Sequence, residues 1–321
     1  IRFKEFKEEW VECRLGEIGK LYKGVGISKD QLSDNGEPCI LYGELYTKYK
    51  SEVINEVISK TNISDTKLVR SNANDVIIPC SGETAEDIAT ARCVLKDNIL
   101  LGGDLNIIRL HKDNGLFMSY QLNGKRKYDI ARVSQGVSVV HLYGEHLKGI
   151  KTYCPNLDEQ NKIATFLSLL DERITTQNKI IEELKKLKVC VRTLIFRTLN
   201  CSWFLLSELE ANGDICLKRG NIIPKHEHTD IFCYPVYSSS VQNGGLMGYN
   251  NTYMFNTELV TWSIDGGGDF FYRHKHKFNV TNVSGYMQLN EAKYNYRFVS
   301  EILLWQHSFM VFDYQTKAHP S

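Results

Sequence analysis

Residues 156–199 read NLDEQNKIATFLSLLDERITTQNKIIEELKKLKVCVRTLIFRTL, a run without proline or glycine. Two interleaved heptad series pass through it: Ile163, Leu170, Gln177, Leu184, Val191, and Leu167, Ile174, Ile181, Lys188, Ile195. Apart from Gln177 and Lys188, every position in the two series is apolar. A stripe spaced alternately by four and three residues is a coiled-coil seam, which requires burial against a second helix. Pro155 precedes Asn156, a good N-cap, and Glu159 is placed to close a capping box. At 1.5 Å per residue such a helix reaches roughly 65 Å. It reads as a spacer over residues 156–200, between blocks 1–155 and 201–321.

Each block is large enough for one domain of about 150 residues or fewer. Composition is ordinary for a globular chain, with 42% hydrophobic and 24% charged residues. No stretch approaches the 18 or more apolar residues of a membrane span, and the charged start, residues 1–12, lacks the apolar core of a signal peptide. Nine scattered cysteines, without a C-x-x-C, point to reduced thiols and a cytoplasmic location. Net charge is only +1: residues 1–156 hold 22 basic and 21 acidic groups, 157–199 hold 8 and 6, and 200–321 hold 9 and 11. Overall charge thus gives no support to nucleic-acid binding, which must rest on local clusters.

The two blocks correspond in order. Trp10 followed by Leu15-Gly16-Glu17-Ile18 answers to Trp203 followed by Leu206-Ser207-Glu208-Leu209. Leu21-Tyr22-Lys23-Gly24 matches Leu217-Lys218-Arg219-Gly220, and Pro38-Cys39-Ile40 matches Pro235-Val236-Tyr237. The strand-like Val76–Gly82 resembles Leu259–Gly266, and Phe117–Leu122 pairs with Phe298–Leu303 as the start of a helix. Short β-branched and aromatic runs between Gly/Asn/Asp turns, with helical pieces late in each block, indicate an α+β module with a mostly antiparallel, irregular sheet. At an offset of 181 residues Ser321 falls opposite Val140, so a second spacer helix is expected to be missing from a truncated repeat.

Module, helix and module together resemble the specificity subunit of a type I restriction–modification system. The likeness rests on Pro155, Glu159-Gln160, Ile163-Ala164, Leu167, Asp171 and Ile174, then Ile181-x-x-Leu184-x-x-Leu187-Lys188, and on the opening Trp10-x-x-x-x-Leu15-Gly16-Glu17-Ile18. The resemblance implies two target-recognition domains, each reading half of a split site in double-stranded DNA, with paired helices setting their spacing. It implies a non-catalytic subunit that recruits methyltransferase subunits and, through them, restriction subunits. S-adenosylmethionine, ATP and Mg²⁺ would then be bound by those partners, and this chain would carry no cofactor. A lone helix leaves self-association with a second copy as a further expectation.

The chemistry in the string agrees with that division of labour. None of the six prolines are adjacent, so the Asn/Asp-Pro-Pro-aromatic motif of an amino-methyltransferase is absent, as is a G-x-x-x-x-G-K-[ST] phosphate loop. Glu183-x-Lys185 has nuclease-like spacing, but on the heptad helix no upstream acid can fold back to share a metal. His226, His228, Cys233, His274 and His276 are zinc-type ligands in a spacing unlike compact zinc sites; surface histidines are the plainer reading. Gly266-Gly267-Gly268 suits a tight turn or a phosphate cradle.

DNA contact is expected where basic, amide and aromatic side chains cluster. In the first module these are Lys23 and Lys29, then Tyr42, Tyr46 and Lys48, then Lys125, Arg126, Arg132 and Gln135. In the second they are Lys218, Arg219, Lys225, Tyr237, Ser239 and Asn243, then Arg273 and Lys275 in the alternating run Arg273-x-Lys275-x-Lys277. Lysine and arginine neutralise phosphates, whereas Arg, Gln, Asn and Ser reach base edges. The competing class is a non-catalytic coiled-coil adaptor whose two modules bind proteins.

Overall fold

A computed structural model describes residues 2–64, 67–136, 139–199, 203–223, 234–240, 242–264 and 269–310. The chain folds as two compact units, Ile1–Asn178 and Lys179–Ser321. One helix, Leu157–Thr198, supplies the end of the first unit and the start of the second.

In the first unit a five-stranded sheet runs in the order Gly19–Lys23, Leu105–Leu110, Asp75–Pro79, Arg92–Val94, Val53–Ile54. The central strand, Asp75–Pro79, is buried along its whole length. Alternation explains this: Val76 and Ile78 enter one core with Leu15, Met118 and Leu122, while Ile77 faces another with Ile40, Leu45 and Leu105. Helix Gly115–Asn123 covers the first face. A second five-stranded sheet of very short strands, including Glu37–Ile40 and Leu100–Leu101, lies on the other side. Inside, Arg109 grips the buried Asp75 carboxylate with Nε at 3.0 Å and Nη2 at 2.8 Å.

The second unit has one six-stranded sheet in the order Ile215–Arg219, Ser284–Leu289, Phe255–Ser263, Phe270–Val280, Tyr234–Tyr237, Leu246–Asn250. Its core, with Val260, Trp262, Phe278 and Met287, is closed by Tyr296, Val299 and Leu303 of helix Tyr296–His307.

The duplication inferred from sequence is therefore a duplicated backbone frame. Four antiparallel strands recur in the same spatial and chain order, Gly19–Lys23 answering to Ile215–Arg219 and Asp75–Pro79 to Phe255–Ser263. Each module also has a parallel pair, Glu37–Ile40 with Leu100–Leu101 in the second sheet of the first and Tyr234–Tyr237 with Phe270–Val280 in the one sheet of the second. Single bonds repeat: Gly24 N donates to Leu105 O at 2.8 Å and Gly220 N to Ser284 O at 3.1 Å. Likewise Gly102 N donates to Ile40 O and Thr281 N to Tyr237 O, both at 2.9 Å. Gly24 and Gly220 have the same physical reason to be glycine. A Cβ would lie 2.0 Å from Gly102 O in one and 2.1 Å from Val280 O in the other. Asn114 and Asn295 each cap the late helix by accepting from the amide three residues on, Phe117 N at 2.8 Å and Phe298 N at 2.9 Å.

Because the helix belongs to both units, a fragment of residues 1–178 is expected to be more stable than 1–155. Removing residues 156–178 takes Ile163 off its packing, about 2 kcal/mol, so the melting midpoint should fall by roughly 4–8 °C. Equal midpoints by circular dichroism would show that the helix start adds nothing to the module.

Candidate nucleic-acid interface and spacer helix

The start of the helix is locked to the first module by the residues that carried the family likeness. Asn156 caps it, accepting from Glu159 N at 2.9 Å. The return bond from the Glu159 side chain is not made; that buried carboxylate instead faces Arg2, 3.7 Å away. Gln160 accepts from Asn114 N at 2.9 Å and donates to Asp113 Oδ1 at 2.7 Å. Asp171 accepts the Tyr120 hydroxyl at 2.6 Å. Between them Ile163, Ala164 and Leu167 pack with Phe117 and Trp10. The first two seam positions are thus spent on the chain's own module, because the capped helix end leans on Gly115–Asn123.

In the second unit the helix is held by other residues. Glu301 meets Arg192 at 2.8 Å and Lys188 at 3.0 Å, and the buried Phe196 packs with Phe298 and Trp305. Phe196 lies outside the heptad series. The remaining seam residues Leu170, Ile174, Ile181, Leu184, Val191 and Ile195 stay open, Ile174 being 58% and Ile181 48% exposed. Cys190, beside this seam, is exposed, whereas burial pushes the thiols of Cys39 and Cys80 up to about 11 and that of Cys93 up to about 12. Among the described cysteines, alkylation of the native chain near pH 8 should therefore label Cys190 first and Cys93 only on unfolding, since the thiolate is the reactive form. Peptide mass spectrometry showing equal labelling would contradict this placement.

In the first module Lys23, Lys29, Lys125, Arg132 and Gln135 are exposed. Tyr42 and Tyr46 lie on one cavity wall, and Tyr46 donates to Ser81 O at 2.9 Å. Gln135 joins the same neighbourhood through its bridge to His141, whose Nδ1 lies 3.3 Å from Ser81 Oγ. Three expected contacts have carboxylate partners, Lys23 facing Asp104 at 3.9 Å. Lys48 is held by Glu44 and Ser59, both at 2.7 Å, and Arg126 pairs with Asp129 at 2.9 Å beneath the Tyr153 ring.

In the second module Lys218, Arg219, Asn243 and Lys275 are exposed. Lys225, His226, His228, Cys233 and the 266–268 glycines lie outside the described residues. Tyr237, Ser239, Asn243 and Arg273 converge, but Arg273 is not the surface cation expected from its alternating basic run. It is 7% exposed, stacks 3.7 Å from the Tyr237 ring centroid, and donates to Thr261 Oγ1 at 2.9 Å. Burial draws its pKa down to about 10, still leaving it charged at neutral pH. Arg273 therefore positions Tyr237 and the turn at 242–245. Farther along the same strand Lys277, the last residue of that run, sits over the rings of Tyr253 at 4.7 Å and Tyr234 at 5.5 Å.

His274 and His276 stack with centroids 4.4 Å apart, and His276 Nε2 lies 3.2 Å from the Tyr237 hydroxyl. Among the described residues no group of three or more His, Cys, Asp or Glu side chains is placed to hold a metal ion. Nor is any helix among them long and apolar enough to cross a membrane.

An α+β module built twice and joined by one long helix defines the class as a tandem-module protein. The chain belongs to the type I restriction–modification DNA specificity domain family, whose model matches residues 7–186 and 207–317. It is 28% identical over 195 residues to the EcoR124I/EcoR124II specificity subunit of Escherichia coli, covering 58% of this chain and 46% of that protein. Similarity to the MjaVIII specificity subunit of Methanocaldococcus jannaschii is 28% over 186 residues, 56% of this chain and 40% of the relative. The chain thus spans less than half the length of these two relatives. The crystal structure of a type I restriction–modification S subunit from M. genitalium shares the fold, with a TM-score of 0.64 at 16% identity, over 95% of this chain and 79% of that one.

Proposed function

We propose that this chain is the DNA-reading specificity subunit of a type I restriction–modification complex, without catalytic activity of its own. Each module reads one half of a bipartite site in double-stranded DNA, and the spacer helix sets the interval between halves. The open seam receives a second helix and the methyltransferase subunits, to which restriction subunits attach. S-adenosylmethionine, ATP and Mg²⁺ belong to those partners, and the complex works in the cytoplasm. The observation that carries this reading is the strand order repeated in both modules, with matching close-approach glycines and helix caps, while the exposed loops differ. One scaffold offered twice with different reading surfaces suits a target with two unlike halves.

The test is reconstitution. Alone, with S-adenosylmethionine, ATP, Mg²⁺ and DNA, the chain should neither methylate nor cut; with its cognate methyltransferase, methylation should appear at one sequence. Methyl transfer by the isolated chain would overturn the non-catalytic role, and partner-dependent methylation without sequence preference would remove its role as reader.

Lys218→Ala and Arg219→Ala should each weaken duplex binding and lower the slope of log affinity against log salt by about one, as each lost phosphate contact releases one counterion fewer. The net charge of +1 favours a protein-binding adaptor as the second reading. Binding to random-sequence duplex that does not weaken with salt would support the adaptor.

A further inference from the structure

The cavity in the first module has a volume of about 740 Å³, within the range of small-molecule sites. Arg92 lines it at only 9% exposure. Its Nε donates to Tyr49 O at 3.2 Å and its Nη1 to Ala91 O at 2.9 Å. Those carbonyls satisfy two donors; among the described residues no carboxylate stands within ion-pair distance of Arg92, and Glu52 offsets its charge only from farther off. Burial pulls its pKa below the usual arginine range. A buried cation without a directly paired carboxylate is costly, so an anion entering the cavity gains a contact the protein does not supply.

The walls specify the rest of the ligand. Tyr42 and Tyr46 offer two phenol rings, and burial raises the Tyr46 pKa, which keeps it a neutral phenol rather than a competing anion. Glu83 and Asp87 line the same cavity and remain exposed. Asp87 also accepts the Thr84 hydroxyl at 2.7 Å, so its carboxylate is held in place. An anion, a flat ring and an amine donor occur together in a nucleotide.

We propose that this cavity binds a single nucleotide, with its phosphate on Arg92, its base against Tyr42 and Tyr46, and its exocyclic amine on Glu83 or Asp87. The nucleotide is either free in solution or drawn out of the stack of a DNA strand. Free-nucleotide binding stands apart from the DNA-reading role; the strand source rests on it.

The experiment uses the full chain. Deoxynucleoside monophosphates and the matching nucleosides are titrated calorimetrically. In parallel, 2-aminopurine is walked through a duplex that the chain retains on a filter. Two variants report on the cavity. Gly43→Leu fills it from a wall position with helical backbone, φ −65°, where a Cβ meets nothing within 4 Å. Arg92→Met removes the charge; if its melting shows it unfolded, Gly43→Leu decides.

A free source gives binding of monophosphates, weaker by about tenfold or more for nucleosides, as expected for a lost charge-assisted bond. A strand source gives no free binding but a rise in 2-aminopurine fluorescence at one position. Either response should disappear in the variants. The proposal is overturned if monophosphates fail to bind at about 1 mM and no position brightens, or if the responses persist in Gly43→Leu. Loss of filter retention of unmodified duplex would count against the DNA-reading role alone.

Discussion

Ile174→Asp combined with Ile181→Asp should abolish helix-mediated assembly and leave both modules folded. The two side chains are 58% and 48% exposed, so the isolated chain loses almost no packing when they are replaced. In a helix pair the same positions are buried, and two unpaired carboxylates there cost several kcal/mol, on the order of a thousandfold or more in association. Analytical ultracentrifugation and methyltransferase pull-down should show the loss, while circular dichroism and the melting midpoint stay as in the parent. Unchanged assembly would remove the seam as an interaction surface. Unfolding would mean that the seam already serves the single chain.

Phe117→Ala should be the most damaging single change to the first unit, and its counterpart Phe298→Ala a mild one. Phe117 is 3% exposed and wedged among Trp10, Ile163 and Ala164, with its ring edge-on to Trp10 at 5.9 Å. Truncating it leaves a cavity at the helix attachment, about 3–5 kcal/mol, or roughly 10 °C in the first unit's melting. Phe298 holds the equivalent place in the repeat but is 50% exposed, so its truncation should cost about 1 kcal/mol. Similar losses in both would mean that the second site is as tightly packed as the first. Near-ultraviolet dichroism of Trp10 provides a local readout for the first variant.

Much of the fold was legible because the repeat compares the chain with itself. Gly24 and Gly220 align in sequence, and each marks the point where backbone passes too close for a Cβ. The correspondence of Phe117–Leu122 with Phe298–Leu303 located both late helices, with Asn114 and Asn295 as their caps. The first module's second sheet was hidden, since strands of two or three residues carry too little periodicity to register. The heptad pattern found the helix but not the division of its faces. Gln160 and Asp171 find their partners in Asn114 and Tyr120, on a helix that precedes them by more than thirty residues, and Phe196 serves the second unit from outside the stripe.

The candidate surface was less legible for a related reason. Alternation in Arg273-x-Lys275-x-Lys277 assigns those residues to one face of a strand without saying which of them a neighbouring aromatic will cover. Tyr237 covers Arg273 and leaves Lys275 free. Lys48 and Arg126 were drawn into ion pairs with Glu44 and Asp129, near in sequence but identifiable as partners only once the local turns are formed. The Arg92 cavity had no sequence signature, because an arginine lacking a counter-ion is recognisable only by what does not surround it.

Residues 172–187 of the long helix are exposed throughout, and their ion pairs, Glu182–Lys185 and Glu183–Lys186, stay within the helix. The fastenings lie outside that stretch, up to Asp171 on one side and from Lys188 on the other. A genetic crossover within these sixteen codons, in register with a related gene, would carry each module away with its own fastenings intact. The middle of the helix is thus a seam for inheritance: one recombination event yields a folded hybrid that joins one parent's first module to the other parent's second.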